Sequence, residues 1–368
     1  MPVRRRIPDA GSSGMSTRSR ITVIGAGVMG RHHLALALAN PDLEVVGIAD
    51  PTPATREALA SQGLPVFADH RRMLDEARPD GVIIAAPNAL HVRLTLDCVE
   101  RGIAALVEKP IADDLEDATR LAAAVEASGV PVLVGHHRRH NPLLRRAAAH
   151  IAEGALGRVL AVTGLWLRRK PSAYFGDRWK REPADGGGVL LINTIHDIDC
   201  LRMLCGEIVG VQAQTSSAGR GFAVEDTAAV VLRFASGALG TLTVSDATTA
   251  PWCWEMTSQE DPRFANVPED CYLVCGTEGS LTVPTLQTWT NEPEADRGAS
   301  LIRRRLHHLP ADSLTEQLAH FAKVIRREIA PAIDVTDAAR TLAATLAIRQ
   351  SARTGELVLL DGEAHRGH

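Results

Sequence analysis

Two side chains in the sequence, Lys109 and His196, are suited to moving a proton to or from a substrate oxygen. Lys109 lies in Glu108-Lys109-Pro110, directly after an apolar run, and a lysine crowded in a partly desolvated site has a lowered pKa. Histidine titrates near neutral pH, as a general acid or base requires. Asn193 lies three residues before His196, so the two share one face of a helix. The alternatives are a solvated Glu-Lys pair and a hydrogen-bonded core histidine.

A glycine-rich turn near the N-terminus, Gly25-Ala26-Gly27-Val28-Met29-Gly30, has the spacing that binds dinucleotides. The three glycines permit a tight turn, close approach of a pyrophosphate and close packing of helix on strand. Val28 and Met29 then open a helix whose free N–H groups attract phosphates. Asp50 follows the next apolar run, where a carboxylate accepts hydrogen bonds from the adenosine ribose. No arginine directly follows Asp50, so we predict NAD, with NADP less favoured.

Four further side chains are candidates for holding a substrate: Arg168, Lys170, Tyr174 and Trp254. Arg168 and Lys170 point the same way in an alternating strand, and cations near the reacting centre suit a carboxylate or an acidic sugar. Trp254 belongs to a Trp-Cys-Trp cluster, and a tryptophan can cover the face of a sugar. The alternatives are a solvated run of charge, and packing of Trp254 in the core or against another subunit.

Composition argues against several classes of function. The chain has 368 residues, 45% hydrophobic and 23% charged, which is typical of a globular protein with two domains. The net charge of −4 and the 4% aromatic content argue against a nucleic-acid binder, and no apolar run is long enough to span a membrane. His136 and His140 have the spacing of a zinc pair, but Asn141-Pro142 opposes a helix there. We expect no metal, reduced structural cysteines and a cytoplasmic location.

The pattern of apolar runs positions these residues on two domains. Short apolar runs alternate with helical patterns from residue 20 to about 137, which predicts a doubly wound parallel sheet of the Rossmann type over residues 20–140. Residues 141–368 are predicted to form an α+β domain with a mostly antiparallel open sheet, and residues 1–19 a disordered tail. The strands of this second domain are predicted at 159–167, 209–215, 228–234, 239–244 and 272–281, and its helices at 143–153, 186–204, 313–328 and 336–353.

Several motifs together make the sequence resemble the Gfo/Idh/MocA family, the relatives of glucose-fructose oxidoreductase and inositol dehydrogenase. The resemblance covers about residues 20–360. It rests on the glycine turn, Ala86-Pro87-Asn88-Ala89-Leu90-His91, Glu108-Lys109-Pro110, Arg139-His140-Asn141-Pro142, Gly186-Gly187-Gly188 followed by His196, Glu225-Asp226-Thr227, and Gly276-Thr277-Glu278-Gly279-Ser280-Leu281.

The resemblance implies which residues meet the cofactor. It places Lys109 beside the nicotinamide ribose and the reacting carbon, with Glu108 next to it and a cis peptide bond following. It places Pro87, Asn88 and His91 along the nicotinamide half of the cofactor. A simple place in the first turn of a helix is the alternative for His91.

The resemblance also places His196 over the substrate hydroxyl, but one residue departs from the family pattern. Many members carry Asp four residues before this histidine, where this sequence has Ile192. Asn193 is the nearest polar substitute. It can hydrogen-bond a hydroxyl or orient the imidazole, but it cannot take a proton. More of the proton transfer therefore falls on Lys109 and His196.

The expected activity is hydride transfer between a nicotinamide cofactor and a CH–OH group of a small sugar, cyclitol or hydroxy or oxo acid. One alternative is a tightly held NAD used for transient oxidation, with net hydrolysis or epimerisation. Another is a non-catalytic dinucleotide-dependent regulator. We expect a small-molecule substrate, no nucleic-acid or membrane partner, and a homodimer or homotetramer formed through the C-terminal sheet.

Overall fold

The computed structural model describes residues 18–182, 186–291 and 300–360, which form two sheets. The first part comprises β1 (Ser19–Ile24), α1 (Val28–Ala39), β2 (Leu43–Ala49), α2 (Pro53–Ala60), β3 (Val66–Phe67), α3 (His70–Ala77), β4 (Gly81–Ile84), α4 (His91–Val99), β5 (Ala104–Val107), α5 (Leu115–Ser128) and β6 (Val132–Val134). Its strands are parallel in the order β3-β2-β1-β4-β5-β6, which confirms the Rossmann domain. β1 begins inside the segment predicted as a tail; residues 1–17 lie outside the described residues.

Local sequence explains this framework. β4, β5 and β6 are buried at every residue, because helices cover both faces of a central parallel sheet, and they consist of continuous apolar runs for that reason. α5 begins where the Asp114 side chain accepts a hydrogen bond from the Asp117 N–H, and it ends at Gly129 in the left-handed conformation. These caps determine where the helix begins and ends.

The second part of the described chain is the predicted α+β domain. It comprises α6 (Pro142–Ala152), β7 (Val159–Leu167), α7 (Ile195–Cys205), β8 (Ile208–Ser216), β9 (Thr227–Phe234), β10 (Leu239–Ser245), α8 (Trp254–Thr257), β11 (Tyr272–Gly276), β12 (Gly279–Val283), β13 (Gln287–Asn291), β14 (Leu301–Arg305), α9 (Ser313–Ile325), α10 (Val335–Thr354) and β15 (Val358–Leu359). The strands stand in the order β14-β13-β12-β11-β7-β10-β9-β8-β15. Among the described strands of this second sheet, only β7 and β10 pair in parallel, so the mostly antiparallel sheet is confirmed.

One strand prediction was wrong. Residues 272–281 form a hairpin of β11 and β12 instead of one strand, with Thr277 and Glu278 at the turn. Gly276, before this turn, packs so tightly on the loop after α6 that a Cβ atom would lie 2.1 Å from the Leu156 carbonyl oxygen. Because the residues on both sides of the turn are apolar, the sequence pattern did not show that the chain reverses direction there.

The two C-terminal helices connect the domains. Phe321 of α9 lies in the core of the Rossmann domain, and Ile325 packs against Gly81 at the start of β4. α10 contributes Leu342 to that core and Ile348 to the core under the second sheet. The Rossmann sheet is therefore covered partly by a helix far away in sequence. No helix in the described ranges combines the length and the apolar character that a membrane crossing requires.

Candidate active site

The candidate residues of the Rossmann domain converge at one edge of its sheet. The parallel register places Ile24, Ile84 and Val107 side by side at the ends of β1, β4 and β5. The glycine turn, the Pro87-Asn88 segment and the Glu108-Lys109 segment follow these three ends. This carboxyl edge is where open α/β sheets bind ligands.

The glycine turn has the shape that a dinucleotide requires. At Gly30 a Cβ atom would lie 1.9 Å from the Gly25 carbonyl oxygen, and at Gly25, with φ of +89°, it would lie 2.6 Å from the Ala85 oxygen. At Gly27 it would meet nothing within 4 Å, and Val28 beside it is exposed. Gly27 is also the N-cap of α1 and supplies no side-chain cap. Free N–H groups therefore face an open space that fits a pyrophosphate.

Asp50 is held beside this turn, where the ribose of a dinucleotide would lie. Its Oδ2 accepts a hydrogen bond from the Ala26 N–H at 2.9 Å, and its Oδ1 accepts one from the Thr52 N–H at 2.9 Å. The sequence analysis missed Arg56, whose guanidinium donates to the Asp50 carbonyl oxygen at 2.7 Å. Its signal is its position in the first turn of α2, where a side chain points back to the strand end.

His91 differs from the other two residues expected along the cofactor. Pro87 is exposed and Asn88 is half-buried, so both keep surface for a ligand. The imidazole of His91 is fully buried, and its ring nitrogens lie 2.7 Å from the Pro110 oxygen and 2.9 Å from the Ala86 oxygen. The structure thus gives His91 no surface for a direct contact. It ties together the segments after β4 and β5.

Glu108 is likewise turned inward. It is buried, and its Oε1 lies 2.7 Å from Nε2 of the fully buried His33 on α1. Burial raises the pKa of Glu108, but the hydrogen bond and charge of His33 outweigh it and lower the pKa to about 2. Glu108 thus connects the helix after the glycine turn to the strand that carries Lys109. His33, at the buried position of α1, was not singled out in the sequence.

Lys109 reaches across the junction between the domains. The Lys109-Pro110 peptide bond is cis, as the resemblance implied. The Lys109 ammonium donates a hydrogen bond to the Ile192 carbonyl oxygen at 3.0 Å. Burial lowers the pKa of Lys109 to about 8, against the opposing charge of Glu108. His196 lies one helical turn after Ile192, and the charge of Lys109 acts on its imidazole, so both predicted proton-transfer groups lie at the same junction of the domains.

The triple-glycine segment and Glu225 position the helix that carries His196. Gly188 has φ of +95°, and a Cβ atom there would lie 2.3 Å from the Glu225 Oε1 atom. That same Oε1 accepts a hydrogen bond from the Leu190 N–H at 3.1 Å. Residues Leu190–Thr194 form a wider π-helical turn before α7 begins. The segment expected to be one helix thus begins with a π-turn, a feature that often marks functional sites.

The expectation that His196 titrates near neutral pH was wrong. Its side chain is buried, and its ring centroid lies 5.1 Å from that of His137. Burial, followed by the positive charges of Lys109 and Arg138, lowers the pKa of His196 well below its usual value. The imidazole is therefore neutral near pH 7. It can orient a hydroxyl by a hydrogen bond, while Lys109 is the group that titrates in the working range.

Two of the four expected substrate residues, Lys170 and Tyr174, lie together beside Asn193. Lys170 is 2% exposed and its ammonium hydrogen-bonds Asn193 Oδ1. That ammonium also lies 4.4 Å from the ring centre of Tyr174, which is half-buried. The Arg168 guanidinium stacks on Phe264, 4.3 Å from its ring centre. The structure thus brings Lys170, Asn193 and Tyr174 together and places Arg168 against another aromatic side chain.

Trp254 does not line the cleft. It is 1% exposed, and its ring stacks on Tyr272 with centroids 6.3 Å apart. Its Nε1 donates to Glu260 Oε2, which satisfies the indole inside the domain. Trp254 therefore contributes to the core, because α8 turns this side chain inward, whereas Trp252 of the same cluster is exposed.

His136 and His140, which have the spacing of a zinc pair, contact different residues. His136 is buried 3.8 Å from Asp199, and the ring of His140 lies 5.0 Å from that of His320. Burial lowers the pKa of His140 to about 3. In residues 18–182, 186–291 and 300–360, no group of three or more His, Cys, Asp or Glu side chains is arranged to hold a metal.

Arg138 is a buried residue beside the helix that carries His196, and the sequence analysis did not identify it. It is 2% exposed and donates to Asp197 Oδ1 at 3.1 Å and to Glu255 Oε1 at 3.2 Å. Asp197 is the neighbour of His196 on α7. Burial raises the pKa of Asp197 to about 6 even though Arg138 opposes the rise. The buried guanidinium thus ties the end of the Rossmann domain to the helix of His196.

We expect Arg138→Met to destabilise the protein by about 3–5 kcal/mol, because it leaves two buried carboxylates without their cation. Urea unfolding followed by circular dichroism measures the change. The control is Arg169→Met, which removes the same type of charged side chain from an exposed position. It should change the free energy of unfolding by less than about 0.5 kcal/mol. Equal effects of the two substitutions would contradict the supporting role of Arg138.

Two family models match the chain. The model of the oxidoreductase family with an NAD-binding Rossmann fold matches residues 19–136, and the model of the GFO/IDH/MocA C-terminal domain matches residues 144–282. Together they cover the Rossmann sheet and strands β7 to β11 of the second sheet, and the matched residues include Lys109, Lys170 and His196.

Individual relatives extend over nearly the whole chain. A 1,5-anhydro-D-fructose reductase of Ensifer adhaerens is 31% identical over 349 residues, 92% of this chain and 97% of the relative. The NAD(+)-dependent scyllo-inositol 2-dehydrogenase of Bacillus subtilis (strain 168) is 27% identical over 361 residues, 94% of this chain and 98% of the relative. The WlbA dehydrogenase of Bordetella pertussis, solved with NADH and UDP-GlcNAcA, has the same fold, with a TM-score of 0.76 at 23% identity over 94% of this chain and all of that one.

Proposed function

Because the chain belongs to the Gfo/Idh/MocA family of NAD(P)-dependent oxidoreductases, we propose that it is a dehydrogenase that uses NAD to oxidise a CH–OH group of a small sugar, cyclitol or hydroxy acid, or to reduce the corresponding carbonyl. One observation carries the proposal. The Lys109 ammonium crosses the domain junction to the Ile192 carbonyl oxygen, one helical turn before His196, at the edge where the glycine turn would hold the cofactor. The names of the relatives support sugars and cyclitols as starting substrates.

The bound nicotinamide supplies the carbon that accepts or returns a hydride. The Lys109 Nζ atom takes the hydroxyl proton in the oxidative direction, and its lowered pKa of about 8 makes the neutral form accessible. The neutral imidazole of His196 orients the same hydroxyl. The Ile192 carbonyl oxygen directs the lysine, and Pro87 and Asn88 line the nicotinamide half of the cofactor.

Asp50 supports the preference for NAD. We expect Asp50→Ala to raise the KM for NAD about tenfold or more, because a charged hydrogen-bond acceptor for the ribose is lost. The same change should improve the use of NADP, since the carboxylate no longer repels a 2′-phosphate and Arg56 lies beside the site. Steady-state kinetics with both cofactors measure the shift.

The companion variant is Asp50→Ala with Arg56→Ala. It should lose the gained use of NADP while the KM for NAD stays at the value of the single variant. A single variant that prefers NAD as strongly as the wild-type protein would contradict the role of Asp50.

The function is tested by following nicotinamide absorbance while the purified protein is screened with cyclitols, anhydro sugars, sugars and hydroxy acids. Turnover of at least one CH–OH compound is expected, with kcat about a thousandfold lower for Lys109→Met. NAD(H) that co-purifies and survives dialysis, with net hydrolysis or epimerisation, would instead favour transient oxidation. Tight cofactor binding with no turnover across the panel would favour a regulator.

We also propose that the open face of the second sheet packs against a second copy of the chain. Its exposed apolar side chains include Val231 of β9, Leu239 of β10 and Leu273 of β11, which the strand register places on one side of the sheet. A broad face with this apolar content needs cover. We expect Val231→Asp to lower the mass measured by light scattering, whereas a wild-type protein of monomer mass would contradict the proposal.

A further inference from the structure

The amide of Asn193 has a fixed orientation. The Lys170 ammonium can only donate hydrogen bonds, so the amide atom that it contacts is the oxygen, Oδ1. The Nδ2 group of Asn193 therefore points away from Lys170 and keeps two N–H donors. Asn193 is half-buried while Lys170 is 2% exposed, so of these two side chains Asn193 keeps the larger exposed surface for a ligand.

Two lysines contact consecutive residues of the chain, Ile192 and Asn193. The Lys109 ammonium hydrogen-bonds the Ile192 carbonyl oxygen, and the Lys170 ammonium hydrogen-bonds the side chain of Asn193. The two positive charges are near enough to lower the pKa of Lys170, although burial is the largest cause. Beside the proton-transfer group Lys109, the Lys170 ammonium and the Asn193 NH₂ group thus form a small surface that only donates hydrogen bonds.

The carboxylates near the two lysines also have other partners, and Glu255, whose charge acts on both lysines, accepts a hydrogen bond from Arg138 at 3.2 Å. Asp246 lies 3.7 Å from the Lys170 ammonium, but it accepts a shorter hydrogen bond of 2.7 Å from Arg220. Glu108 accepts its hydrogen bond from His33. The side chain between the two ammonium groups, Ile192, is aliphatic. Burying cations without a full set of anionic partners is costly, and an anionic ligand would remove that cost.

We propose that the substrate of this site carries a carboxylate close to the reacting CH–OH group, and that Lys170 and the Asn193 Nδ2 group bind it. This inference rests on the proposed dehydrogenase function. A carboxylate offers two oxygens that only accept, which matches a surface that only donates. A neutral polyol hydroxyl would leave its own hydrogen unpaired against the same surface. The substrate class is therefore a sugar acid or another hydroxy acid.

Matched pairs of ligands test this inference. The NADH-loaded protein is titrated by calorimetry with D-glucuronate against D-glucose and with D-galacturonate against D-galactose, and kcat/KM is compared wherever turnover occurs. We expect the acid of each pair to bind more tightly by about tenfold or more, the scale of one charge-assisted hydrogen bond. Equal binding of acid and neutral sugar, or no binding of either acid at millimolar concentration, would overturn the inference.

Two variants locate the effect. Asn193→Asp keeps the shape but places a carboxylate in the donor group, so the ratio of acid to neutral binding should fall about tenfold or more. Lys170→Met should lower the same ratio, and Lys170→Arg should restore part of it. A variant that weakens acid and neutral ligands equally would indicate a merely structural role and refute the assignment.

The failure of the inference and of the proposed function can be told apart. NADH binding, followed by its fluorescence, tests the function without any substrate. A wild-type protein that does not bind NADH removes the dehydrogenase proposal. A protein that binds NADH and turns over neutral polyols without preferring acids removes only the carboxylate inference.

Discussion

Replacing Lys109 with methionine is expected to lower kcat by about a thousandfold, within the range that general acid-base catalysis contributes. Methionine keeps much of the side-chain length but has no proton to exchange and no donor for the Ile192 carbonyl oxygen. Binding of NADH should persist, because the glycine turn and Asp50 are untouched. Steady-state kinetics on an identified substrate, together with NADH fluorescence, separate the two effects.

The protonation of Lys109 determines the direction in which the rate changes with pH. Lys109 with a pKa of about 8 is protonated below that pH and neutral above it. As a proton acceptor it must be neutral, so kcat/KM for alcohol oxidation should rise through about pH 8, and carbonyl reduction should fall there. Lys109→Met should flatten this profile, whereas Lys323→Met, at an exposed position on α9, should keep the wild-type profile. Full turnover by Lys109→Met would disprove the catalytic role.

The second large effect is expected from Gly30→Ala, which should abolish measurable dinucleotide binding. The added methyl group would lie 1.9 Å from the Gly25 carbonyl oxygen, so α1 or the glycine turn must move. Because that contact is with backbone, the shift displaces the N–H groups that face the pyrophosphate. The protein without cofactor should also lose thermal stability, since the clash does not involve the ligand.

Gly27→Ala is the matched control, because the same methyl group there meets no protein atom within 4 Å. Its melting temperature without cofactor should stay near that of the wild-type protein. Its affinity for NADH should nevertheless fall, because the methyl group occupies the space assigned to the pyrophosphate. Unchanged NADH affinity in Gly27→Ala would show that the cofactor does not lie on this turn.

Much of the framework could be predicted from the sequence, because apolar periodicity reports burial directly. The strand Val159–Leu167 has the predicted bounds, and the strands predicted at 228–234 and 239–244 differ from the observed ones by one residue each. The pattern does not report which element covers a sheet, and so the packing of α9 on β4 was missed. β13 and β14 were missed as well, since strands at a sheet edge are half-exposed and carry a mixed pattern.

The candidate site was predictable in its positions but less so in its electrostatics. Lys109 and His196 were expected at one site because the family resemblance implies a place beside the nicotinamide for the first and over the substrate hydroxyl for the second. The lowered pKa of His196 depends on burial and on Arg138, neither of which a single sequence reveals. Arg138 lies in a run of histidines and arginines that resembles a solvated charge run. Only the fold shows that its guanidinium is inside.

The last long helix, α10, couples the unfolding of the two domains. α10 places Val335 and Ala338 in one core and Ala347 and Ile348 in the other. Neither half of the chain is complete without this shared element, so a fragment ending near residue 140 would leave its β-sheet partly stripped of cover. Calorimetry of the intact chain should accordingly record one cooperative melting event for both halves.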